Sequence, residues 1–250
     1  MKLDVLAIGA HPDDVELACG GTLALLARQG RRVGILHLTR GERGTRGTPQ
    51  ERQAEAERAA AALGAAAMDF LDCGDGGLRT GAAEEDSLIA KLREWAPDLV
   101  LAPTPHDRHP DHGRAHRLVE AACFYAGLRN RAPEAGEAYR PAAVFSYMQN
   151  DHFVPAFLVD VSGVWDAKIE SMRAYRSQLH GGGAGAAAAD DPQGPAGPVT
   201  KVSTPEFWHA VEGRARHFGA LIGVPLAEPF WSRNPLAVAD PMSLLSGGVR

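Results

Sequence analysis

Two short stretches of the chain hold the residue types that hydrolytic metal chemistry needs. The first, Gly9-Ala10-His11-Pro12-Asp13-Asp14, sets one imidazole beside two adjacent carboxylates directly behind an apolar run at residues 3–8. The second, His106-Asp107-Arg108-His109-Pro110-Asp111-His112, follows another apolar run at residues 99–102. Short apolar runs of this kind read as buried strands, and α/β sheets place their ligands at the carboxyl ends of strands. His11 and Asp14, three apart at a strand-to-helix turn, can close on one cation, and His112 completes a set of two imidazoles and one carboxylate. Such a set suits zinc with the fourth position left to water, and other divalent ions stay open. Successive side chains at a turn diverge, so Asp13 is free to act as a base while Asp14 ligates. A rival pairing of His112 with His116 at helical spacing would leave His11 and both aspartates without a role. Each histidine taken alone reads as a helix cap or loop anchor; the conjunction points to a metal.

The two motifs in this order, each behind a strand, resemble the LmbE-like, or PIG-L-like, zinc-dependent de-N-acetylases. Residues 39–48, with the stretch Arg173-Ala174-Tyr175-Arg176-Ser177-Gln178, resemble the branch that removes acetate from N-acetylglucosaminyl-malate in bacillithiol biosynthesis. The resemblance covers residues 3–178 and resumes at 200–241. It implies one zinc ion per chain on His11, Asp14 and His112, with Asp13 as general base. It implies a protonated His109 that stabilises the oxyanion, and Asp111 orienting or charging that ring, although Asp111 reads equally well as the N-cap of the following helix. For the carboxylates of a malate group it points to arginine forks, Arg52 first, then Arg108 and Arg43. It also implies a homo-oligomer, possibly a hexamer. Some members place a mobile tyrosine over the oxyanion, but here Tyr175 is the last tyrosine, so that task falls to His109. The same chemistry on chitobiose, an acetylglucosaminyl-inositol or a thiol conjugate is the alternative. A non-catalytic sugar- or nucleotide-binding module is disfavoured, because structural zinc usually has four protein ligands and only three are identifiable.

Composition narrows the class. The chain has 250 residues, 45% hydrophobic and 23% charged, with a net charge of -5. That is long enough for one full core and offers no overall attraction to nucleic acid or anionic membrane. No apolar run approaches the ~20 residues of a membrane span, and Met1-Lys2-Leu3-Asp4 leads into the first strand without the pattern of a signal peptide, so a cytoplasmic protein is expected. Cys19, Cys73 and Cys123 show no paired spacing and read as buried thiols.

The elements that must position these residues follow from periodicity and punctuation. Strands are expected at 3–8, 32–38, 68–71, 98–102, 142–147 and 156–161. Helices are expected at 15–29, 49–63, 83–95, from 112 or 113 to 125, 165–175 and 205–222. Thr48-Pro49-Gln50-Glu51 has the spacing of a capping box. Gly20-Gly21 falls inside a helix without the surroundings of a phosphate loop. Residues 180–199, nearly all glycine, alanine and proline, read as a flexible surface insertion or a lid, and residues 228–241 as an extended tail. The whole predicts a single Rossmann-like three-layer α/β domain, with a mostly parallel sheet, helices on both faces, and the active site at the carboxyl ends of the strands.

Overall fold

Alternation along the strands sorts the core into two layers, because successive side chains in a strand point to opposite faces. In the computed structural model, which describes residues 1–180 and 197–242, β1 (Val5–Gly9), β2 (Val33–His37) and β4 (Leu99–Ala102) are buried on both sides. Leu6, Ile8, Leu36, Val100 and Ala102 pack on one face against α3 (Ala82–Trp95) and α4 (Pro110–Ala126). Val5, Ala7, Val33, Ile35 and Leu101 pack on the other, against α1 (Asp14–Arg28) and α2 (Pro49–Ala62). Helix α5 (Trp165–Arg173) joins that second layer through contacts with α1 and α2.

The sheet has seven strands in the order β3-β2-β1-β4-β5-β7-β6, with β3 (Ala67–Phe70), β5 (Ala143–Tyr147), β6 (Phe157–Asp160) and β7 (Ala227–Trp231) completing it. Pairing is parallel from β3 through β5, and β7 runs antiparallel to both β5 and β6. The chain winds outward from β1 to β3 and then returns to the other side of β1 with β4. The reversal between β1 and β4 is the switch point at which open α/β sheets bind ligands. Both chemical motifs leave the sheet there.

Three expectations are corrected. Helix α4 begins at Pro110 with His109 as its N-cap, ahead of the expected start at 112 or 113, because Pro110 occupies the first helical position, where its missing N–H is no loss. The beginning of the expected tail is instead strand β7, which α6 (Pro205–Ile222) delivers between β5 and β6. Helix α1 is broken at Cys19, whose φ of -134° is non-helical, just before Gly20-Gly21. A Cβ at Gly21 would lie 2.9 Å from Val161, so close packing of the next layer requires glycine there. The capping box at Thr48 forms as expected. The insertion expected at 180–199 lies largely outside the described residues.

Candidate metal centre and active site

Asp13 and Asp14 are separated by the backbone itself. Asp13 adopts φ 97°, a left-handed conformation that only glycine takes without strain, and although it is the N-cap of α1 its carboxylate caps nothing. Strain of this kind persists where surrounding contacts over-determine it. Here Arg52 supplies them, donating to Pro12 O at 2.5 Å and lying 3.4 Å from Asp13 Oδ2.

Asp14 is buried and turns the other way. Its Oδ2 accepts the His11 backbone N–H at 2.9 Å and lies 3.5 Å from His11 Nδ1; its Oδ1 lies 3.4 Å from His112 Nε2. The outer nitrogen of each ring faces further carboxylates. His11 Nε2 is 3.1 Å from Asp75 and 3.4 Å from Asp111, and His112 Nδ1 is 2.9 Å from Asp107, whose carboxylate is fully buried. His112 is thus anchored from behind by Asp107, whereas His11 Nε2 faces its two carboxylates without a hydrogen bond, and the inner nitrogens of both rings are directed at the two oxygens of Asp14. Anchoring the outer nitrogen in this way is how proteins orient metal-binding histidines. Donors bound to zinc at ~2.0–2.1 Å in a tetrahedron lie roughly 3.4 Å apart, and each ring has its inner nitrogen at about that distance from Asp14, His11 from one carboxylate oxygen and His112 from the other. His109 closes the cluster, its ring 4.8 Å from that of His11 and 4.9 Å from that of His112. Among the described residues, His11, His109 and His112 form one possible metal-binding group, and His11, Asp75 and Asp111 another.

The electrostatics also fit a cation. Burial disfavours charge on His11 and His112, yet the surrounding carboxylates outweigh it, raising His11 well above its ordinary value and His112 to about 9. Asp14 is held well below the carboxylate range despite its burial, chiefly by His112 and His11. Burial pushes Asp13 up to about 7; Arg52 opposes that rise and the Asp14 charge adds to it.

His109 departs from expectation. Its Nδ1 accepts the Asp111 backbone N–H at 3.3 Å, so that nitrogen is unprotonated and the proton of the neutral ring sits on Nε2. Burial, followed by the neighbouring rings of His11 and His112, lowers its pKa. Asp111 neither orients His109 through its carboxylate nor caps α4. That carboxylate accepts from Leu78 N at 3.0 Å, Gly77 N at 3.2 Å and Arg114 at 2.8 Å, and faces His11. Arg52, expected to hold a substrate carboxylate, is buried with its fork turned to Pro12, Gly41 and Asp13. A Cβ at Gly41, whose φ is 65°, would fall 2.0 Å from Arg52 Nη1, so this glycine makes room for the guanidinium. Together with Arg43 and Arg108, Arg52 nevertheless lines the pocket, a cavity of about 620 Å³ with His11, Asp13, Asp14 and His109 among its lining and Lys201 and Phe207 on its wall. His116 stands apart within the core, its Nδ1 donating to Pro103 O at 2.9 Å and lying 3.3 Å from Ser146 Oγ. Tyr175 is fully buried against Glu16 and does not reach the pocket.

Asp75, Asp107, Gln149 and Asn150 join the site without having been expected there. Asp107 is detectable in principle, since a ligating histidine requires a carboxylate or carbonyl on its other nitrogen and Asp107 lies in the same motif. Asp75, in the loop after β3, and the pair after β5 carry no local signal.

Fold and site together define an α/β protein with a metal-hydrolase type of centre at the sheet's switch point. The comparisons make this more particular. Residues 6–123 match the family model described as PIG-L, GlcNAc-PI de-N-acetylase. The chain is 33% identical over 191 residues to a diacetylchitobiose deacetylase from Thermococcus kodakarensis, covering 70% of each. It is 28% identical over 193 residues to a 4-oxalmesaconate hydratase from Pseudomonas putida, covering 70% of this chain and 74% of that protein. A conserved protein of Thermus thermophilus has the same fold with a TM-score of 0.82 and 39% identity, over 96% of this chain and 98% of that one. The chain belongs to the PIG-L, or LmbE-like, de-N-acetylase family.

Proposed function

We propose that the protein is a zinc-dependent hydrolase that releases acetate from an N-acetylglucosaminyl conjugate, and that the conjugate is N-acetylglucosaminyl-L-malate. The observation that carries the metal reading is the pair of imidazoles whose inner nitrogens lie 3.5 and 3.4 Å from the oxygens of Asp14. His11, Asp14 and His112 would hold the ion. Bound there, it supplies Lewis-acid polarisation of the amide and a lowered water pKa.

The protein's own groups do the rest. Asp13, on the pocket wall and pushed to about 7, accepts a proton from the attacking water near working pH. His109 donates from Nε2–H to the amide oxygen as negative charge develops on it. Asp13 then returns its proton to the leaving nitrogen, the C–N bond breaks, and acetate and a free amine result. For a malate group, the pocket offers Arg43, Arg108 and Lys201. The loop at residues 41–47 supports the same branch: it is clamped to the Ser177-Gln178 segment through Gln178 to Arg46 O at 2.7 Å.

The test measures acetate released from the malate conjugate, diacetylchitobiose and N-acetylglucosamine, with and without chelator. Acetate release fastest on the malate conjugate, abolished by chelation and restored by zinc, is expected. Equal or faster release from chitobiose would overturn the malate assignment. The hydratase relative sets a second outcome beside it: no acetate from any amide, but water added to an unsaturated tricarboxylate, would replace deacetylation altogether.

A further inference from the structure

We infer that Gln149 and Asn150, the dipeptide just beyond β5, are positioning residues that hold Asp14 and His112 in register with each other. The inference rests on the proposed metal reading. Neither residue belongs to either motif, and each reaches a different member of the ligand set. The Gln149 side-chain N–H donates in a short contact to Asp14 Oδ1, the oxygen that faces His112 Nε2. Because Asp14 Oδ2 already takes the His11 backbone N–H, the two oxygens are pinned from opposite sides and the carboxylate cannot turn.

Asn150 works through one intermediate. Its backbone N–H donates to Asp107 Oδ2 at 2.8 Å and its side chain to Asp107 Oδ1 at 3.0 Å, while Asp107 Oδ1 sits 2.9 Å from His112 Nδ1. Rotating Asp107 would therefore rotate the His112 ring. The dipeptide is itself braced. Tyr147, two residues before it, donates to Ile8 O at 2.8 Å, tying β5 across to β1 beneath the first motif. Arg214 donates to the Gln149 carbonyl and, at 3.0 Å, to Leu17 O in the first turns of α1, the helix that carries Asp14. The bracket spans β5, α1 and the loop after β4, elements that meet only in the folded chain. Hydrogen-bond partners of metal ligands typically matter by ~10- to 100-fold in metal affinity.

The test compares zinc dissociation constants, by competition with a coloured chelator, for the wild type, Gln149→Met and Asn150→Ala, and records the visible absorption of the cobalt-substituted proteins. Both variants are expected to bind at least ~10-fold more weakly, with an altered cobalt spectrum and an unchanged melting temperature of the metal-free protein. A smaller change in both variants, or a loss matched by melting of the metal-free protein, overturns the inference; Asn150→Ala decides it alone if Gln149→Met does not fold. A wild type that takes up no ion, or a His112→Ala variant that keeps it, would instead overturn the metal reading on which the inference rests.

Discussion

At the scale of single residues, the decisive fact is which atom each side chain turns inward. The chemical residue types were legible in the sequence because His-Pro-Asp-Asp and His-Pro-Asp-His leave few other uses for so many ligating groups at strand ends. Their partners were not, because Asp75 and the Gln149-Asn150 pair reach the site from loops distant in sequence. Arg52 lines the pocket but already has partners there. A guanidinium suits a substrate carboxylate, yet this one lies against Asp13 and two backbone carbonyls. Arg52→Ala should therefore reduce kcat/KM by ~10- to 100-fold, the scale of a lost charged hydrogen bond, and by the same factor on malate-bearing and uncharged N-acetylglucosaminides. A loss confined to the malate substrate would return Arg52 to carboxylate binding. Asp13→Asn should retain full metal content while losing ~10²-fold or more of turnover, as befits a base. Metal analysis of that variant separates the roles of the two aspartates, since an emptied site would make Asp13 a ligand.

At the scale of elements, the break in α1 is what links the site to the rest of the fold. The Glu228 carboxylate on β7 accepts from Gly21 N at 3.0 Å, Thr22 N at 2.7 Å and Thr22 Oγ1 at 2.6 Å, and so caps the second half of the helix. Lys168 of α5 pairs with it at 2.6 Å and also donates to Leu17 O at 3.1 Å, at the end of the first half. One buried ion pair thus serves both ends of the break, and the short first segment bearing Asp14 is held independently of the second. Local pattern placed the six other strands and all six helices within a few residues, since each has its own periodicity and stops. It did not find β7, where Glu228 and Pro229 interrupt the apolar run. Glu228 is tolerated only because Lys168 meets it, and Pro229 lies opposite Leu158 where the pairing with β5 has already ended. Glu228→Ala leaves Lys168 buried and unpaired and should cost about 3–5 kcal/mol, read as a lower urea midpoint. Loss of less than about 1 kcal/mol would mean that Lys168 is not left as an uncompensated buried charge when Glu228 is removed.

At the scale of the whole molecule, the sheet's reversal brings together what the chain keeps about a hundred residues apart. Parallel neighbours β1 and β4 point their carboxyl ends the same way, so their motifs meet by topology rather than by any affinity between them. The meeting collects Asp13, Asp14, Asp75, Asp107 and Asp111 around His11, His109 and His112, a concentration of buried negative charge that the folded state must neutralise. Under the proposed function, a divalent ion held by His11, Asp14 and His112 would do so only in the folded protein, because the unfolded chain cannot assemble those ligands, and its binding free energy would therefore add to stability. At an ion concentration ~100 times its dissociation constant that addition is about 2.7 kcal/mol. Chelation should accordingly lower the melting temperature of the wild type, and zinc should restore it. The same treatment should leave His112→Ala unmoved, because that variant has no bound ion to lose. Calorimetry of both proteins with and without chelator checks this, and an equal shift in the two would place the ion elsewhere in the molecule.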